Sequence, residues 1–147
     1  MQALRERVLD WVREHYRDVT VEPNGWITIP DIGPSVVQIE TGLVAGGHLK
    51  AEVFAPLVLE VPLTDDLLRY VAVEGGRFHF GVLSLDVGAD DAGSERALLQ
   101  FSHGLLADDL QRDALLTVVG LVASTVAERS VELQRRFGGV LVSDLEG

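Results

Sequence analysis

The chain has 147 residues, 47% of them hydrophobic, no cysteine and a formal net charge of −11. That apolar share supports a packed core and excludes disorder, and the missing cysteines exclude disulfides, thiolate zinc sites and cysteine nucleophiles. The acidic surplus leaves none of the basic footprint that nucleic acid or an anionic membrane surface would require.

The N-terminal stretch "LRERVLDWVREHY" places Leu4, Val8, Trp11 and Val12 on one helical face, with charges elsewhere. It contains no uninterrupted apolar region, so no signal peptide is expected. "VTVEPNGWITI" follows. Its alternating apolar residues flank Asn24-Gly25, two residues tolerant of positive φ, which predicts a tight hairpin with Trp26 on the returning strand. Ser35–Val44 reads as a further strand, and Gly46-Gly47 turns the chain. His48–Leu63 is long and apolar. Pro56 in its middle cannot donate to a ladder, so an edge position, a bulge or a break is expected there.

Thr64 is placed to cap a short helix, with Asp65 and Asp66 at its positive end and Gly75-Gly76 closing it. Arg77–Val87 alternates well enough to predict a strand that begins at Arg77, with His79 on the face opposite Phe78 and Phe80. After the Gly88–Gly93 loop, Glu95–Leu106 reads as another strand. A long helix is expected from Asp109 to Phe137, capped by Asp108 with Gln111 three residues on and ended by Gly138-Gly139. "VPLTDDLLRYV" and "GLLADDLQRDAL" are weak echoes of one another, each running from a strand through Asp-Asp-Leu into a helix.

The order is helix, four strands, helix, two strands, helix. It predicts an α+β fold, an antiparallel sheet packed against helices, as a single domain over residues 1–147.

No constellation for chemistry emerges. His15, His48, His79 and His103 lack metal spacing, and there is no nucleophile elbow. "GLVAGGH" has glycines at phosphate-loop spacing but no Lys-Ser/Thr. Asp65-Asp66 and Asp108-Asp109 precede helices, and Asp90-Asp91 lacks the spacing of a calcium loop. No catalytic residue, cofactor or metal is therefore expected.

The long helix carries the main apolar signal. Leu115, Val119, Val122, Val126, Leu133 and Phe137 form one stripe along its length. Leu110, Ala114, Val118 and Leu121 form a second stripe in its first half, inside the uncharged run Ala114–Ala127. That run is shorter than the ~20 residues of a membrane span. Burial on two sides is expected. The second side can be covered by the N-terminal helix or by another copy of the chain, and a homodimer through Leu110, Val118 and Leu121 is the expectation.

With these elements placed, the chain resembles the class I type III secretion chaperone and YbjN-like superfamily. The resemblance rests on "LRERVLDWVREHY", "EPNGWITI", "PLTDDLLRYV", the two following strands and the closing helix from "LLADDLQRDALLTVV". It implies an α+β domain that often dimerises and binds peptide segments of partner proteins. The resulting expectation is a cytoplasmic, non-enzymatic, chaperone-like or regulatory module with a protein or peptide client. It would bind neither nucleic acid nor membrane. The alternative is a small-molecule sensor or an enzyme whose site assembles only in the fold, with His79 or His103 beside a carboxylate in a deep polar pocket.

Overall fold

The structure, a computed structural model, describes residues 2–145. Its elements run α1 (Gln2–His15), β1 (Thr20–Val21), β2 (Ile27–Ile32), β3 (Ser35–Leu43), β4 (Leu49–Pro62), α2 (Asp65–Glu74), β5 (Val82–Ala89), β6 (Glu95–Leu106), α3 (Arg112–Phe137) and α4 (Val142–Leu145). The expected order holds, with the short α4 added. All strands join one antiparallel sheet in the order β1-β2-β3-β4-β6-β5, so β4 and β6 lie inside it and β5 forms an edge.

The hairpin forms at Asn24-Gly25. Glu22 and Trp26 are joined by a backbone bond of 2.8 Å, leaving Pro23, Asn24 and Gly25 as the loop. Gly25 has φ +88°, the left-handed position that closes a three-residue hairpin loop. The Asn24 side chain accepts from the Trp26 N–H at 2.9 Å and fixes the exit.

Pro56 does sit at a bulge. The register of β4 on β6 shifts between Pro56 and Val58, and the pairing of β3 with β4 stops at Gln38–Phe54, before the proline. A central strand thus carries proline where one ladder has already ended. A second shift before Val61 accompanies Glu60, which has φ +53°. Past α3 the chain returns over this bulge, and Leu59 and Val140 exchange backbone bonds of 2.8 and 2.7 Å.

Two expectations are corrected. The strand expected from Arg77 begins at Val82. Gly81, at φ +71°, breaks the extension, and the Phe101 ring occupies the space its Cβ would need, 2.6 Å away. Phe78 and Phe80 instead lie in the preceding loop and meet Phe101 edge-on, with centroids at 5.0 and 5.7 Å. The long helix starts at Arg112, and its N-cap Gln111 makes no side-chain capping bond. Asp108 is engaged elsewhere. Thr64, in contrast, caps α2 as expected, accepting from the Leu67 N–H at 3.2 Å.

The core lies between one face of the sheet and α3. Ile27, Ile29, Val37, Ile39, Val53, Ala55, Leu99 and Phe101 point to that side and are buried. On α3, Leu115, Val119, Val122, Val126 and Leu133 of the expected stripe are buried, and Phe137 is half-buried. By length and composition α3 could cross a membrane, but here that stripe is packed on the sheet. α1 lies beside α3 with Leu4, Val8 and Val12 buried, and Glu14 meets Arg112 at 3.3 Å.

Candidate functional site

The two faces of the sheet differ. The helices cover one. On the other, the period-2 alternation of the strands brings up a distinct set of side chains. The register places Gln38 beside Phe54 and Glu40 beside Glu52 across β3 and β4. It places Phe54 beside Ser102 and Pro56 beside Gln100 across β4 and β6, and Ser84 and Asp86 beside Gln100 and Leu98 across β6 and β5. Together with Trp26 and Leu59, residues of this set line a shallow concavity of 380 Å³.

An aromatic pair and a polar fringe give this face its character. Trp26 meets the Phe54 ring edge-on, with centroids 5.0 Å apart. Gln100 donates to the Ser84 hydroxyl at 3.2 Å, and Gln38 donates to the Thr28 hydroxyl at 3.2 Å. These bonds hold the polar fringe in place and leave the aromatic centre open. A second concavity of 510 Å³ adjoins the first and shares Leu59, Asp86 and Leu98 with it. It continues over Val87, Val140 and Leu145. The two form one trough across the uncovered face.

The chemistry-bearing residues considered from sequence lie outside this trough. His79 is exposed in the loop before β5. His103 lies on β6, with its ring 6.0 Å from that of Phe80. Neither lines any of the concavities described. Among the described residues no group of three His, Asp or Glu side chains is placed to hold a metal.

Asp108 makes a contact that sequence spacing did not reveal. Its carboxylate accepts from the Leu49 N–H at 3.0 Å and lies 2.8 Å from His48 Nδ1. The Ala107 N–H completes the clasp by donating to the Leu49 carbonyl at 2.8 Å. The Leu49 bond, and then the His48 side chain, hold this carboxyl below its ordinary range. With both partners on its own chain and solvent on its outer side, Asp108 joins the β3–β4 turn to the start of α3. Asp90 has a similar local role. It accepts from the Ser94 and Ala92 N–H groups at 2.9 Å each and meets Arg96 at 3.3 Å, which closes the β5–β6 turn. The Ser94 bond is the largest cause of its lowered pKa.

Of the three residues expected at a dimer interface, Leu110 and Val118 are 7% and 8% exposed within one chain, while Leu121 is 39% exposed. The first two therefore already have partners inside the fold. Other exposed apolar side chains include Leu68 and Val73 on α2, Val82 and Val87 on the edge strand β5, and Leu43 and Leu106 at the ends of β3 and β6.

The trough residues Trp26, Glu40, Glu52, Phe54, Leu98 and Gln100 were not expected from sequence to form a binding face. The signal was present as the two-residue alternation of Glu52, Phe54 and Pro56 within the run His48–Leu63. The strong apolar character of the intervening residues obscured it.

No family model matches the chain, and no curated protein matches it. Solved structures do. YbjN, described as a putative transcription regulator from E. coli, aligns with a TM-score of 0.64 and 10% identity, over 90% of this chain and 92% of its own. A chain of the ExsC–ExsE complex aligns with a TM-score of 0.55 and 15% identity, over 94% and 95%. A chain of the HopA1–SchA chaperone–effector complex aligns with a TM-score of 0.52 and 12% identity, over 92% and 93%. The chain therefore has the type III secretion chaperone and YbjN-like fold expected from its sequence.

Proposed function

We propose that this chain is a non-enzymatic, chaperone-like or regulatory module that captures a segment of a partner protein on the open face of its sheet. The observation that carries the proposal is the uncovered trough, with Trp26, Phe54, Pro56 and Leu98 in reach of solvent. Partly exposed apolar residues grouped in a concavity with a polar rim are a common form of protein-docking site. Support comes from the fold neighbours, two of which are complexes, one of them a chaperone with its effector.

The competing reading, a sensor or enzyme, needs a polar pocket with a histidine beside a carboxylate. The His48–Asp108 pair is the nearest match, and it is spent on tying a turn to a helix. The proposed module works without metal or cofactor in the cytoplasm, does not act on nucleic acid or membrane, and functions as a homodimer. A second copy would use the flank of α2, where Leu68 and Val73 are exposed, and the edge of β5, which has strand neighbours on one side only.

The deciding experiment is affinity purification from the native cell with wild-type protein and with Phe54→Arg, followed by mass spectrometry. A partner recovered stoichiometrically with wild type and lost with a folded Phe54→Arg protein is the expected result. An identical set of partners for both proteins would refute capture on this face.

A further inference from the structure

The charge on the open face specifies more than the presence of a client. Glu40 and Glu52 are direct cross-strand partners on it. Like charges placed opposite one another weaken a strand pair, so this pairing costs the isolated fold stability. Lys50 offsets it only in part, at 3.7 Å from Glu52. Glu40 and Asp86 have no ion-pair partner among the described residues. None of the ten residues lining the 380 Å³ concavity is a cation, and three are carboxylates. Two arginines border the trough: Arg5 lines an adjoining concavity with Trp26 and Glu40, and Arg96 is paired with Asp90. The carboxylates flank the apolar centre: Glu40 and Glu52 lie on the Trp26–Phe54 side and Asp86 on the Leu98 side.

We infer that the occupant of this face is a cationic amphipathic helix of a partner protein. Its apolar stripe would lie on Trp26, Phe54, Pro56 and Leu98, and its lysines or arginines would meet Glu40, Glu52 and Asp86. This inference rests on the segment-capture reading and adds the chemistry of the segment. A helix is the form that suits a sheet face, because its backbone bonds are satisfied internally while a strand would need the sheet's edge. A cation from the partner also relieves the Glu40–Glu52 repulsion, so part of the attraction arises within this chain. The whole molecule, at −11, draws such a segment in at long range, and the trough orients it.

The test uses the full chain and two fluorescently labelled synthetic helices, one of leucine and lysine at helical spacing and one with glutamate in place of every lysine. Binding is measured by anisotropy across a salt series. The protein variants are Glu40→Lys/Glu52→Lys on the face and Asp113→Lys/Glu128→Lys on the exposed side of α3, which change net charge equally. Circular dichroism confirms that both are folded. The leucine–lysine helix should bind wild type, and the face pair should weaken it by roughly tenfold or more, while the α3 pair leaves it within about twofold.

Equal losses from both pairs would show attraction to net charge alone and overturn the inference. Equal binding of the leucine–glutamate helix, lost in Phe54→Arg, would leave segment capture standing and overturn the cationic specificity. Binding of neither helix would overturn the inference too, and the native-cell purification would then decide the capture reading separately. A shift from dimer to monomer in Phe54→Arg would make a second copy of the chain the occupant and refute a foreign helix.

Discussion

Gly25 shows how one residue sets the entry to the sheet. It holds φ +88° at the end of a three-residue loop, and a β-branched side chain resists that conformation. Gly25→Val should lower stability by about 1–3 kcal/mol, read as a lower denaturant midpoint at unchanged slope. Asp108 yields a second prediction. Folding lowers its pKa, so the native state binds this proton less readily than the unfolded chain. Its contribution is present in full above the unfolded value, about 4, and is lost as pH falls through the folded value. Wild type should therefore lose stability more steeply than Asp108→Asn between about pH 5 and pH 2, measured by denaturant melts at several pH values. Parallel profiles for the two proteins would show that the clasp to Leu49 and His48 does not form in solution.

Among the elements, α3 separates what is buried from what is merely apolar. Leu115 is fully buried, and Leu115→Ala should cost about 2–5 kcal/mol. Val118→Glu should prevent folding, since it puts a charge where the side chain is 8% exposed, whereas Leu121→Glu should fold normally at 39% exposure. Far-UV circular dichroism and thermal melts of the three proteins check the order of these effects.

Much of this architecture was legible in the sequence. The apolar spacing on α3, the Asn24-Gly25 turn and the Thr64 cap are local signals, and each appears in the fold. What stayed hidden depends on contacts distant in sequence. The Phe101 ring displaces the start of β5, and Asp108 is drawn to a turn near residue 48 instead of capping its own helix. The binding face was hidden for a related reason. Which side of β4 faces solvent is decided by where α3 lies, and β4 alone cannot show it.

At the scale of the whole molecule, the proposed homodimer would draw on the exposed apolar residues of α2. Only Leu67 of α2 is buried, while Leu68 and Val73 are 46% and 49% exposed. Burying a few such side chains is worth roughly 1.5–3 kcal/mol each, before the costs of association. Leu68→Glu/Val73→Glu should convert a dimeric mass into a monomeric one by light scattering, with the fold retained. Leu121→Glu should leave the dimer intact. A monomeric mass for wild type at micromolar concentration would refute the dimer.

The position of α3 along the chain has a consequence for synthesis. The sheet is complete in sequence at Leu106, but the helix that covers its core face begins at Arg112 and ends at Phe137. During translation the apolar face of β3, β4 and β6 is therefore made before its cover exists, and the Leu59–Val140 bonds can close only after α3 has emerged. For that interval the nascent chain presents aggregation-prone apolar surface. Ribosome-bound chains stalled after β6 should be protease-sensitive, and those stalled well beyond Val140 should be resistant.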